Sequence, residues 1–283
     1  MSKIGLLVCG NSGIDYEKVD YPFKVIHSQL IIDNKAYEDY VDITAEEFYQ
    51  KIEVNPDVPL STAQAATGEF IKALEELKAE GYQEIIVITI SSKLSGTYQN
   101  AVLAKEMVDD VKIYVVDSLS VSYGQMILVK ETIKLIKAGK SGKEIEEVLL
   151  KTRENIFVYV LVDTLKFLVK NGRLSAASGA LGSLLRIKPL LHINRIGQLV
   201  PFEKIRTSSK ARKRLLEIAF KEIDEGVEEF FLAYTNNKEY VEEIKKDINK
   251  QHLNLKIHLC PLTPVVGAHA GPGTCGFGFL KKK

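Results

Sequence analysis

Tryptophan is absent from this chain of 283 residues, and cysteine is scarce. Cys9, Cys260 and Cys275 are odd in number and far apart, so they describe no disulfide framework, and no CxxC or His/Cys cluster has metal-ligand spacing. No metal and no cofactor is therefore expected, and a reducing cytoplasm is the expected compartment. Charge of one sign is missing too. Against 38 basic residues stand 37 acidic ones, a net charge of +1, which leaves no global field to favour nucleic acid or an anionic membrane. No apolar run approaches the roughly 20 residues of a membrane span, and Met1-Ser2-Lys3-Ile4 enters a strand-like run without a signal-peptide pattern. The chain also lacks GxxxxGK[ST], a GxGxxG after a strand, HExxH and GxSxG, which removes the commonest nucleotide, metalloprotease and hydrolase fingerprints.

What is present is a globular pattern, 46% hydrophobic and 27% charged, long enough for one large or two ordinary domains. Strands and helices alternate in the first half. Ile4–Val8 reads as a strand, and Phe23–Ile32 with the turn residues Asp33-Asn34-Lys35 reads as a hairpin. Helices are expected from Thr44 to about Ile52, from Thr67 to Gly81, over Ser95–Met107, over Ser122–Lys137 and from Ser141, whose spacing to Glu144 is that of a capping box. Strands are expected at Ile85–Ile90 and Ile113–Val116. From about Asn155 the rhythm changes. A strand over Phe157–Val162, a short helix over Thr164–Lys170 and a small-residue helix over Ala176–Leu184 precede a hairpin around Arg195-Ile196-Gly197. Two helix–strand pairs follow, and a Gly-rich tail from Gly267 to Gly278 closes the chain. The expected class is α/β: an N-terminal domain (residues 1–160) with a mostly parallel sheet flanked by helices, then a C-terminal α+β domain (residues 161–283) with a mixed sheet.

The densest chemistry is Ile90-Ser91-Ser92-Lys93-Leu94-Ser95-Gly96-Thr97-Tyr98, where a strand hands over to a helix. Free N–H groups at a helix start carry partial positive charge, so this turn suits an anion without a cationic side chain. A simple serine N-cap accounts for one hydroxyl, but there are three in five residues. Ser95 is the natural N-cap and Ser92 lies closer to the strand end; the choice among Ser91, Ser92 and Ser95 stays open. A second cluster, Leu60-Ser61-Thr62-Ala63-Gln64 to Thr67-Gly68-Glu69-Phe70, leads into another helix and reads locally as a loop plus N-cap. Because ligands sit at strand ends in open α/β sheets, Thr62 or Ser61 is expected beside the serine turn. His269 is framed by Gly267, Gly271, Pro272 and Gly273, a backbone that turns sharply and admits close approach.

These segments resemble signatures of the DegV family. Ser61-Thr62-Ala63-Gln64 and Ile90–Gln99 are similar to its two N-terminal motifs, and Val116-Asp117-Ser118 to its next strand end. Asp163-Thr164-Leu165 through Asn171-Gly172-Arg173-Leu174-Ser175 resembles its interdomain helix motif. Leu184-Leu185-Arg186-Ile187-Lys188-Pro189 and Gly267-Ala268-His269-Ala270-Gly271-Pro272-Gly273 match its later ones. The likeness runs in order over nearly the whole chain. It departs after the first strand, where the family usually has Thr-Asp-Ser and this chain has Gly10-Asn11-Ser12.

The resemblance implies a non-catalytic protein that binds a long-chain fatty acid between its two domains and presents the carboxyl group to a separate ATP-dependent fatty acid kinase subunit. The carboxylate would be held by Thr62, by Ser92 or Ser95 with Ser91 beside them, by helix N–H groups and by His269. A buried acyl chain of about 16 carbons, at about 0.8 kcal/mol per CH₂, supplies on the order of 10 kcal/mol before ordering costs. The head group therefore needs little affinity of its own. A buried Arg pair would stabilise the carboxylate ground state too well, whereas hydroxyls and an imidazole leave it able to attack ATP. For the kinase surface the candidates are Arg173 and the basic segment Lys204–Arg214, with Arg206 foremost. The competing expectation is an enzyme acting on a small carboxylated or phosphorylated substrate through the serines and His269.

Overall fold

The computed structural model describes residues 3–174 and 187–282. The helix expected over Ala176–Leu184 and the first half of the Leu184–Pro189 motif lie outside those residues. The first half builds a four-stranded parallel sheet in the order β2-β1-β6-β7, from β1 (Ile4–Cys9), β2 (Lys24–Ile26), β6 (Glu84–Thr89) and β7 (Lys112–Asp117). Strands buried on both faces need apolar residues at every position, and β1 and β6 are buried throughout. One face, through Leu7, Cys9, Ile85 and Val87, packs on α2 (Thr67–Ala79) and α3 (Thr97–Lys105). The other, through Leu6, Val8, Ile86 and Ile88, packs on α4 (Tyr123–Lys137) and α5 (Gly142–Thr152).

Two helix starts form as their sequence demands. The Thr44 and Ser141 hydroxyls accept from the N–H groups of Glu47 and Glu144, and those glutamates accept in return from the cap N–H groups. Thr44 thereby opens α1 (Ala45–Val54). At α2 the cap is one residue earlier than expected: Ala66 holds that position and its N–H reaches the Glu69 carboxylate at 2.7 Å.

The expected hairpin divides. Phe23–Ile32 breaks at His27-Ser28 into β2, parallel to β1, and β3 (Gln29–Ile32), which turns through Asp33 and Asn34, both at positive φ, into β4 (Lys35–Glu38). The Ser61–Ala63 stretch, read locally as a loop, is a strand instead. As β5 (Leu60–Ala63) it pairs with the outer edge of β3 and sets Thr62 opposite Leu30, completing an antiparallel sheet β4-β3-β5.

A six-stranded mixed sheet, ordered β10-β9-β8-β13-β11-β12, organises the second half. Its strands are β8 (Ile156–Leu161), β9 (Lys188–Ile193), β10 (Leu199–Ile205), β11 (Val227–Tyr234), β12 (Ile257–Pro261) and β13 (Cys275–Lys281). Between them run α6 (Lys166–Lys170), α7 (Ser208–Asp224), α8 (Lys238–Gln251) and α9 (Pro264–Ala270). The Gly-rich tail is thus not a loose end. It supplies helix α9 and a central strand. In β13 the alternation Gly276-Phe277-Gly278-Phe279 sends both phenylalanines to the face covered by α7 and α8. The glycines lie on the face toward α4, where a Cβ on Gly278 would sit 2.3 Å from the Phe231 ring.

Candidate functional site

A cavity of about 980 Å³, its mouth included, opens at the carboxyl ends of β1, β6 and β7 and runs along the glycine face of the second sheet. Its position is the crevice expected of a parallel sheet. Its walls are apolar over most of their extent: Val158 and Val160 from β8, Phe231 and Ala233 from β11, with Ile193, Leu199 and Leu262. Polar groups gather where Thr62, Gln64, Ser95, Arg173 and His269 meet.

Thr62 and His269, 207 residues apart, touch: Thr62 Oγ1 lies 2.8 Å from His269 Nε2. Strand β5 fixes Thr62. His269 sits in the last turn of α9, a helix fastened along its length by the rest of the chain. At its start, Val265 N–H donates to the Asp39 carboxylate (3.3 Å), and Tyr49 Oη donates to the Leu262 carbonyl just before it (3.0 Å). Near its end, Asn171 Nδ2 donates to the Ala268 carbonyl (3.2 Å), and Gly271 at φ +82° turns the chain away.

Burial, aided by the nearby Arg173 guanidinium, pushes His269 from the usual 6.5 down to about 4. The imidazole is neutral at physiological pH. Its Nδ1 is buried with no partner among the described residues. Whichever tautomer forms, the pair keeps one donor for a ligand: the Thr62 hydroxyl if Nε2–H donates, Nδ1–H if Nε2 accepts.

The serine turn contributes less than its sequence promises. Ser91 is fully buried outside the cavity lining; its hydroxyl donates to the Gly197 carbonyl (2.7 Å) and accepts from Lys93 N–H. Ser92 is also outside the lining, and its N–H donates to the Asp117 carboxylate (3.1 Å). Gly96 rather than Ser95 is the N-cap residue of α3, although Ser95 Oγ still accepts from Thr97 N–H (3.3 Å). Several N–H groups expected to cradle an anion are therefore engaged internally. Ser95 alone of the three serines lines the cavity, its hydroxyl 2.8 Å from Thr97 Oγ1.

Arg173, expected on an outer surface, lines the cavity instead. Its Nη1 donates to the Asn171 carbonyl (2.6 Å) and its Nε to the Leu94 carbonyl (3.3 Å). The Asn171-Gly172-Arg173 turn, with Gly172 at φ +66°, thus ties α9 to the serine turn. Arg206 is exposed after β10, outside the lining. Much of the basic segment is neutralised: Arg212 pairs with Asp247 (2.8 Å) and Arg214 with Glu203 (2.7 Å). Sequence reasoning passed over Asn11, Ser28 and Gln64 in the lining and Asp39 behind it. Gln64 carried a signal, since it ends the Ser61–Gln64 motif; its amide packs so closely on Gly96 that a Cβ there would lie 2.5 Å away.

Among the described residues no helix is long and apolar enough to cross a membrane, and no group of three or more His, Cys, Asp or Glu is placed to hold a metal ion.

A sequence model described as "Uncharacterised protein, DegV family" matches residues 13–282. The chain is 34% identical to a DegV domain-containing protein of Clostridium acetobutylicum over 283 residues, covering all of both chains. In three dimensions it is similar to DegV, described as a fatty acid binding protein, from Bacillus subtilis, with a TM-score of 0.89 at 27% identity and full coverage of both chains. It is equally similar to a fatty acid binding DegV family protein from Streptococcus agalactiae, with a TM-score of 0.90 at 28% identity and full coverage of both. With a family match from residue 13 to residue 282 and a relative alike from end to end, the chain belongs to the DegV family.

Proposed function

We propose that this chain is a non-catalytic carrier that binds a long-chain fatty acid between an N-terminal domain (residues 1–160) and a C-terminal domain (residues 161–283). The acyl chain is buried in the cavity, and the carboxyl group is presented to a separate ATP-dependent kinase subunit that converts it to an acyl phosphate. One observation carries the reading: a mostly apolar cavity whose lining includes the Thr62–His269 pair. The similar proteins of Bacillus subtilis and Streptococcus agalactiae, both described as fatty acid binding, support it.

In this reading the carboxylate accepts from the donor that the Thr62–His269 pair keeps in hand and from Ser95, with Arg173 supplying positive charge nearby. Ser91 and Ser92 shape the turn from behind. A single half-buried Arg, already donating to two carbonyls, binds a carboxylate less tightly than a bidentate clamp and leaves it nucleophilic. Arg206, exposed and with no side-chain partner among the described residues, is the group offered to the kinase. The enzyme alternative finds little support, because no serine hydroxyl among the described residues is hydrogen-bonded to His269, and a nucleophilic serine needs a base in reach.

Mass spectrometry of an organic extract of the native protein tests the proposal. A co-purified fatty acid is the expected result. An empty extract, with turnover of a soluble ester or phosphate that is lost in His269→Ala, would replace it with the enzyme reading.

A further inference from the structure

Two side chains that line the cavity keep a buried polar atom without a partner among the described residues. One is His269, at the pair described above. The other is Asn11, which comes from a different part of the fold, just past the carboxyl end of β1. Asn11 is 4% exposed, and its Oδ1 has no hydrogen-bond partner among the described residues. The backbone around it is firmly set: the Asn11 carbonyl accepts from Ser122 N–H (3.0 Å), and Ser122, also in the lining, is held at φ +55°. Behind it, fully buried Gln125 commits its Nε2 to the carbonyls of Cys9 and Ile88, and its Oε1 is likewise unpartnered.

A buried amide short of partners is costly until something supplies the missing hydrogen bond. A carboxylate has no proton to give Oδ1, and a methylene chain offers nothing. A hydroxyl does both tasks: it donates to the amide oxygen and accepts from the amide N–H, so the match holds whichever way the amide is turned. We propose that Asn11 forms a second polar subsite, separate from the carboxylate end, that recognises a hydroxyl group carried on the chain of a fatty acid. The proposal rests on the reading of the cavity as a fatty acid site.

The test measures dissociation constants for stearic acid and for monohydroxystearic acids with the hydroxyl placed in turn along the chain. The expected result is at least one positional isomer that binds the native protein as tightly as stearic acid or tighter. That isomer should lose about tenfold more affinity than stearic acid does in Asn11→Leu, the factor that corresponds to one ordinary hydrogen bond. Stearic acid binding also reports an intact cavity; should Asn11→Leu fail that control, Asn11→Ala takes its place. If every isomer binds the native protein more weakly than stearic acid, and by the same factor in the variants, the subsite is overturned and an ordered water satisfies Asn11. If stearic acid itself does not bind, the fatty acid reading fails, and the subsite with it.

Discussion

Helix α9 joins two titrations that run in opposite directions. His269 in its last turn is pushed by burial from 6.5 to about 4, and Asp39 at its start, 1% exposed, is pushed by burial from 3.8 to about 7. The unfolded chain binds a proton at His269 more readily than the folded one. That contribution to stability is therefore full above 6.5 and is lost as pH falls toward 4. At Asp39 the folded state binds the proton more readily, so its contribution is full below 3.8 and is lost as pH rises to about 7. At about 1.36 kcal/mol per pKa unit, the differences between 6.5 and about 4, and between 3.8 and about 7, make each contribution on the order of 3–4 kcal/mol. Between pH 4 and 6.5 the two nearly cancel. Urea unfolding at stepped pH reads them separately. His269→Gln removes one limb, so its stability should rise on acidification more steeply than that of the native protein, by on the order of 3 kcal/mol across the window. Asp39→Asn should do the reverse and lose stability on acidification by a similar amount. Each variant is compared with the native curve, which removes the contribution of every other titrating group. Curves that run parallel to the native one would refute the reasoning, because they would mean that neither group changes its proton affinity on folding.

Thr62→Val removes the hydroxyl from the carboxylate pair and should weaken fatty acid binding about tenfold in a displacement assay; unchanged affinity would remove Thr62 from the site. Arg173→Glu should weaken binding itself because the side chain lines the cavity, whereas Arg206→Glu should spare binding and lower kinase-dependent phosphorylation. Equal losses in both steps for Arg206→Glu would mark a structural residue instead. At Gly267, a Cβ would lie 2.2 Å from Tyr49 Oη, so Gly267→Ala should cost about 1–3 kcal/mol in urea unfolding; native stability would show that α1 yields freely. Burial pushes the Cys9 and Cys275 thiols up to about 12, so thiol reagents at pH 8 should react slowly with the native protein and quickly after denaturation. Fast native labelling would reveal frequent opening.

Much of this was legible in one dimension because the signals are local. The Thr44–Glu47 and Ser141–Glu144 pairs each fix a helix start within four residues, and the apolar runs at Ile4 and Ile85 announce strands buried on both faces. Thr62 and His269, singled out by hydroxyl density and a Gly/Pro frame, meet in the fold and line the cavity. The failures share a cause: the deciding partner is distant in sequence. Glycine weakens a strand by itself, so Gly276-Phe277-Gly278 read as a tail; only the Phe231 ring lying over Gly278 shows why bare positions are wanted there. Strand β5 is too short and polar to declare itself without β3 beside it. Asp39 looks like a loop acid, and nothing near it points to Val265, 226 residues away. Ser91 and Ser92 misled for the opposite reason: a hydroxyl-rich turn was read as open to a ligand when Gly197 and Asp117 had already claimed its groups.

The contact between Thr62 and His269 closes a loop of 207 residues, and α9 is held by Asp39, Tyr49 and Asn171 from three other parts of the chain. Closing so long a loop carries an entropic cost that the local turns of a helix do not bear. A chain emerging during synthesis carries its serine turn and β5 long before α9 exists to bring His269 to Thr62. The polar lining of the cavity draws on both halves of the chain, so it exists only in the completed fold.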